Sequence, residues 1–63
     1  MRITEFWRRM NLRFGEPYAA SLAADYQLPL LGATVTEALA AGVEPKEIWR
    51  AVCAEFEVPA SLR

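Results

Sequence analysis

The sequence predicts an all-α fold, a compact orthogonal bundle of three to four short helices formed by a single helical domain over residues 1–63. Apolar residues recur at the three- and four-residue spacing of helices that bury one face, and no segment alternates with period two long enough to predict a strand. Glycine and proline separate the helical segments, which indicates tight turns. A chain of 63 residues is too short for a barrel or a doubly wound sheet.

The first helix is predicted from about Thr4 to Phe14, with Thr4 as the N-cap and Gly15 just beyond the C-terminal end. Its apolar stripe, which spans an arc of roughly 100° at helical spacing, contains Ile3, Phe6, Trp7, Met10 and Phe14. The stripe is expected to face the core.

The second helix is predicted from Tyr18 to about Gln27. Pro17 suits its first position, because the N–H that proline lacks has no helical partner there. One face of this helix contains Tyr18, Ala19, Leu22, Ala23 and Tyr26. Pro29 ends the segment, and the apolar connector over 28–32 is expected to press on the core.

A short third helix is predicted at Val35 to Ala41. It begins with a capping box formed by Thr34 and Glu37, and it stops at Gly42. The fourth helix opens at Glu44-Pro45 and runs to about Glu57. Its buried face is expected to contain Ile48, Trp49, Val52, Cys53 and Phe56.

The junction of the last two helices has the spacing of a helix-turn-helix corner. Ala38 allows a close crossing, Gly42 supplies the turn, and Val43 with Ile48 fills the angle between the helices. Such a corner is also a common way to pack two helices. The pattern therefore leaves open a DNA contact through Lys46 and Arg50 and a purely structural role.

Charge argues against the DNA contact. Residues 44–57 contain two basic and four acidic residues, a net charge of -2 on the helix that would enter the major groove. Since most nonspecific DNA affinity comes from neutralised phosphates, this helix would repel a duplex.

The overall charge of -1 conceals an uneven distribution. Residues 1–14 have four arginines against one glutamate, a net +3, whereas residues 15–63 have three basic and seven acidic residues, a net -4. The candidate surface for an unidentified protein partner therefore comprises Arg2, Arg8, Arg9, Leu12 and Arg13. The alternative is a solvated face whose arginines pair with carboxylates elsewhere in the chain.

The composition offers little for catalysis. The chain has no histidine, which removes the commonest general base and metal ligand, and its single cysteine, Cys53, is expected to be buried. Trp7 and Trp49 are expected to fill the core. We therefore predict no enzyme activity and no catalytic, metal or cofactor site.

The sequence has no apolar stretch of membrane-spanning length and no signal-peptide pattern. We therefore expect no membrane partner and a cytoplasmic location.

Several blocks of the sequence resemble a known family. They are the opening Met1-Arg-Ile-Thr-Glu-Phe-Trp-Arg-Arg-Met10, Arg13-Phe-Gly15, Thr36-Glu-Ala-Leu-Ala-Ala-Gly42, Pro45-Lys-Glu-Ile-Trp-Arg-Ala-Val-Cys53 and Val58-Pro59. Together they resemble a small family of actinobacterial proteins that form a domain of unknown function. The resemblance implies a helical cytoplasmic protein and, because the family's genes often lie near those of the bacterial recombinase and its regulator, a link to DNA repair or recombination.

The sequence thus favours a noncatalytic helical module that binds or regulates a protein partner. The alternative function is that of a helix-turn-helix DNA-binding protein.

Overall fold

The computed structural model describes residues 1–63 and contains four α-helices, one two-stranded sheet and one turn of 3-10 helix. In chain order the elements are α1 (Ile3–Phe14), α2 (Tyr18–Asp25), β1 (Gln27–Leu28), β2 (Ala33–Thr34), α3 (Val35–Ala40), α4 (Pro45–Glu55) and the 3-10 helix Ala60–Leu62. The prediction of a mostly helical fold is confirmed. The all-α class is wrong in one respect, because the connector after α2 forms a small hairpin.

The hairpin is antiparallel, with Gln27 opposite Thr34 and Leu28 opposite Ala33. Its turn is closed by the Gly32 N–H, which donates to the Leu28 carbonyl at 2.8 Å. Each strand has only two residues, too few to produce a period-two pattern in the sequence. Leu28 is buried as expected for the connector, but Leu30 is 71% exposed, so only part of the connector presses on the core.

Several helix ends differ from the sequence prediction by one or two residues. Helix α1 has Arg2 rather than Thr4 as its N-cap, because the Phe6 N–H already donates to the Arg2 carbonyl at 3.1 Å. Pro17 is the N-cap of α2 rather than its first residue. Helices α2 and α4 end early because Tyr26 and Phe56 have extended backbone angles. The capping box of α3 is confirmed, with reciprocal hydrogen bonds of 3.1 and 2.9 Å between Thr34 and Glu37.

The buried apolar residues form one core cluster that contains Phe6, Met10, Ala19, Ala23, Leu28, Val35, Ala38, Ile48, Trp49, Ala51, Val52 and Val58. Phe6 is its centre, with edge-to-face contacts to the rings of Trp7 at 5.3 Å and Trp49 at 6.0 Å between centroids. The Phe6–Trp49 contact joins α1 to α4. Trp49 is buried and Trp7 is half-buried against the cluster, in line with their predicted role.

Three residues on the apolar faces of the first two predicted helices are exposed. Ile3 lies in the first turn of α1, Tyr18 in the first turn of α2, and Tyr26 directly after α2. Helical periodicity places each of them on the correct side of its helix, but it does not show how far along the helix the neighbouring elements extend. The prediction that the apolar stripe of α1 faces the core is therefore wrong at Ile3.

The corner between α3 and α4 has the local geometry that the sequence predicts. The Val43 N–H donates to the Ala38 carbonyl at 3.0 Å and the Gly42 N–H to the Leu39 carbonyl at 3.1 Å, the two bonds of a Schellman motif. Gly42 has a φ of 89°, which a residue with a side chain rarely adopts. Ala38 and Ile48 are buried on either side of the turn.

Candidate binding groove

Two arginines of the predicted partner surface share one carboxylate on α1. Arg8 forms two hydrogen bonds with Glu5, at 2.9 and 2.7 Å, and Arg9 forms a third at 2.7 Å. Hydrogen bonds from Arg8 and then Arg9 lower the pKa of Glu5 to about 2. Part of the positive charge of α1 is thus neutralised within the helix itself, rather than by carboxylates elsewhere in the chain.

The other members of the predicted surface lie in different surroundings. The Arg13 guanidinium lies 4.7 Å from the centre of the Phe14 ring and donates to the Glu57 backbone carbonyl. Leu12 is 59% exposed, and Arg2 is exposed and forms no ion pair. Of the five predicted residues, some therefore form ion pairs within the chain, one packs against an aromatic ring, and the others are exposed to solvent.

A groove on the surface brings together residues from α1, α4 and the C-terminal segment. It has a volume of ≈ 470 Å³ and is lined by Met1, Arg9, Lys46, Trp49, Arg50 and Arg63. We call it the basic groove, because four of these six side chains are cationic. It unites Arg9 of the predicted protein-binding surface with Lys46 and Arg50, the two residues of the DNA-binding alternative.

The fold explains why these side chains meet. Lys46 and Arg50 are four residues apart on α4 and therefore project from the same side of the helix. The Phe6–Trp49 contact holds α1 beside this helix. The Trp49 indole N–H donates to the Leu62 carbonyl at 3.0 Å, and this bond folds the C-terminal segment back so that Arg63 reaches the same groove.

The groove retains an excess of positive charge after its ion pairs are counted. Arg9 contacts Glu5, and Arg50 contacts Glu47 at 3.1 Å. Lys46 and Arg63 form no ion pair, although the Arg63 guanidinium donates to the Val58 carbonyl at 3.1 Å. Since exposed ion pairs contribute at most about 1 kcal/mol, an incoming anion can replace Glu47 as the partner of Arg50 at low cost.

A second groove of ≈ 570 Å³ adjoins the basic groove through Arg63 and is also lined by Arg13, Glu57, Val58 and Pro59. It contains charges of both signs, so it is a less selective place for an anion. A third hollow of ≈ 220 Å³ lies on α2 between Tyr18 and Tyr26. There the Tyr26 hydroxyl bonds the Glu55 carboxylate, which raises the pKa of Tyr26.

Cys53 is half-buried rather than buried, because α4 turns this side chain toward the edge of the core. Burial raises the pKa of its thiol, and the nearby charges of Arg63 and Arg9 oppose that change only in part. A raised pKa leaves the thiol protonated and poorly nucleophilic at neutral pH.

Sequence reasoning missed Arg63 as a member of the groove. Its position depends on the hydrogen bond between Trp49 and Leu62, which links residues 13 apart and leaves no periodic pattern in the sequence. Trp49 is buried in the core, as the sequence predicts, and it also lines the groove.

Comparison with known protein families shows which family the chain belongs to. Residues 1–61 match the family described as Protein of unknown function (DUF3046). The chain belongs to this family. The match confirms the resemblance to a domain of unknown function and includes Arg9, Lys46, Trp49 and Arg50, whereas Arg63 lies beyond it.

No curated protein and no solved structure matches the chain significantly. The DUF3046 assignment therefore comes without a described activity to transfer, and the chain's own geometry is the basis for a functional proposal. None of its helices combines the length and the apolar character needed to cross a membrane.

Proposed function

We propose that this protein is a noncatalytic interaction module that binds an acidic segment of a partner protein in the basic groove. The observation that supports this most is the convergence of Arg9, Lys46, Arg50 and Arg63 from three separate parts of the fold. Cations at a groove attract an acidic partner from a distance and orient it on arrival.

The shape of the groove suits an extended segment better than a small molecule. It is an open depression on a molecule of only 27 × 21 × 21 Å, and the buried Trp49 is one of its lining residues. A short peptide can lie along the groove with alternate acidic side chains beside the cations. The arginines supply planar, bidentate donors for carboxylates, and Lys46 supplies a mobile point charge.

The proposal is tested with a fluorescein-labelled peptide rich in glutamate and aspartate, measured by fluorescence anisotropy at about 0.15 M salt. The Lys46→Gln/Arg50→Gln double variant removes two groove cations, and we expect about tenfold weaker binding, near 1.4 kcal/mol. A peptide with glutamine and asparagine in place of the acids is not expected to bind.

The matched control is the Ala24→Glu/Gln27→Glu double variant. It changes the net charge by the same amount at two exposed positions on α2 and β1, which do not line the groove. We expect its affinity for the acidic peptide to stay within about twofold of the wild type, because charges beyond a Debye length are screened. Equal losses in the two double variants would contradict a localised site.

DNA binding is the second candidate function, and the Schellman turn of the corner together with the exposed Lys46 and Arg50 favours it. This candidate assumes that α3 and α4 cross nearly at right angles, as an orthogonal bundle with a helix-turn-helix corner requires. Four exposed acids between Glu44 and Glu57 oppose it. A labelled DNA duplex at about 50 mM salt serves as the test, because nonspecific contacts are strongest there, and absence of binding removes this candidate.

A partner in DNA repair or recombination, as the sequence resemblance implies, fits either candidate. An acidic segment on a recombination protein would meet the groove in the first case, and the duplex itself would in the second. The cytoplasmic location predicted from the sequence is part of the same proposal.

A further inference from the structure

The ion pairs at the basic groove determine which anions it can distinguish. Arg8 occupies both oxygens of the Glu5 carboxylate, through Nε to Oε1 at 2.9 Å and through a terminal nitrogen to Oε2 at 2.7 Å. Arg9 shares only Oε2, at 2.7 Å. Glu5 therefore stays fully paired when Arg9 turns away, so Arg9 can leave it without exposing an unpaired carboxylate.

Arg50 is held more loosely than Arg9. Its one bond to Glu47 is 3.1 Å long, and both side chains are more than half exposed. Lys46 and Arg63 have no carboxylate to release. The groove thus contains two arginines that each pair with an internal carboxylate through one nitrogen, and two cations that pair with none.

In the exchange of these carboxylates for a ligand, the ligand gains little if its charge and its number of acceptor oxygens only equal those of the glutamates that already pair with the arginines. An incoming glutamate or aspartate offers one negative charge and two oxygens, the same as Glu5 and Glu47. A phosphate monoester carries about -1.5 to -2 charges at neutral pH and three strong acceptor oxygens, so it can engage several of the cations at once. A phosphodiester of nucleic acid carries a single charge and gains less from the exchange.

We infer that the basic groove is a phosphoserine or phosphothreonine site, and that Arg9 and Arg50 exchange their internal carboxylates for the phosphate of the partner's acidic segment. This inference rests on the proposed function and specifies the partner's modification. Clusters of arginine are a recurring means of recognising phosphorylated segments. Glu5 and Glu47 then compete with the ligand for Arg9 and Arg50, and a singly charged ligand gains less from the exchange than a phosphate dianion does.

The test uses three short acidic peptides of one sequence that carry serine, glutamate or phosphoserine at the central position. We expect the phosphoserine peptide to bind at least about tenfold more tightly than the glutamate peptide, because a dianion makes more charge-assisted hydrogen bonds. Equal affinities for these two peptides would overturn the inference and leave the proposed function intact. Failure of all three to bind would overturn both.

Variants of the internal carboxylates separate this exchange from simple attraction. Glu5→Gln removes the carboxylate that competes with the ligand for the Arg9 guanidinium. We therefore expect the glutamate peptide to bind this variant more tightly than it binds the wild type. The preference for the phosphoserine peptide over the glutamate peptide is expected to narrow to about threefold. The control Glu16→Gln makes the same change of charge at an exposed residue outside the groove, and the preference is expected to persist. An unchanged preference in Glu5→Gln, or a DNA duplex that binds more tightly than the phosphopeptide, would refute the inference.

Discussion

Replacing Phe6 by alanine is expected to leave most of the protein unfolded or to lower its melting temperature by at least about 15 °C. Phe6 is fully buried and contacts both tryptophan rings, so its removal opens a cavity between α1 and α4. Such substitutions cost about 3–5 kcal/mol, and a core of this size supplies only a few kcal/mol of net stability. Circular dichroism at 222 nm during heating measures the effect.

The matched control is Leu12→Ala on the same helix. Leu12 is 59% exposed, and its truncation is expected to change stability by less than about 0.5 kcal/mol. If Phe6→Ala and Leu12→Ala had the same melting temperature, the Phe6–Trp49 contact would not be what holds α1 to α4. The arrangement of the basic groove would then lose its structural basis.

Replacing Gly42 by alanine is expected to destabilise the protein by about 1–2 kcal/mol. The cause is the backbone alone, because a Cβ built on Gly42 meets no atom within 4 Å while the φ of 89° remains unfavourable for alanine. The strain falls on the turn between α3 and α4, which sets the direction of the helix that carries Lys46 and Arg50. Urea unfolding with a common m value measures the loss of free energy.

Gly42→Asn is the control for this explanation. Asparagine adopts the left-handed region more readily than alanine does, so we expect it to recover part of the stability despite its larger side chain. If Gly42→Asn were less stable than Gly42→Ala, side-chain size rather than backbone conformation would control the turn.

The elements that sequence reasoning placed correctly are those encoded by a few neighbouring residues. The capping box of Thr34 and Glu37 and the glycine turn at Gly42 depend only on local chemistry, and both occur as predicted. The hairpin strands were missed because two residues cannot show a strand pattern. Ile3 is exposed although it belongs to the apolar stripe of α1, because periodicity gives the side of a helix but not how far the neighbouring elements extend along it.

In the basic groove, too, the features that depend on neighbouring residues were predictable and those that depend on tertiary packing were not. Arg9, Lys46 and Arg50 were each singled out from charge and spacing, but they were assigned to two competing functions because the distance between α1 and α4 is a property of packing. Arg63 carried no local signal, since it reaches the groove only when the Leu62 carbonyl accepts a hydrogen bond from Trp49. Tertiary contacts therefore bring one residue of the predicted protein-binding surface and the two residues of the DNA-binding alternative together on one surface.

The most direct test of the basic groove follows the two indole N–H resonances in a ¹⁵N–¹H NMR titration with the acidic peptide. Trp49 lines the groove, whereas Trp7 is half-buried elsewhere on the core and acts as an internal control. We expect the Trp49 indole signal to shift progressively while the Trp7 signal stays in place, and the shift to disappear in Lys46→Gln/Arg50→Gln. A shift of Trp7 with no shift of Trp49 would place the acidic segment elsewhere and contradict the proposed function.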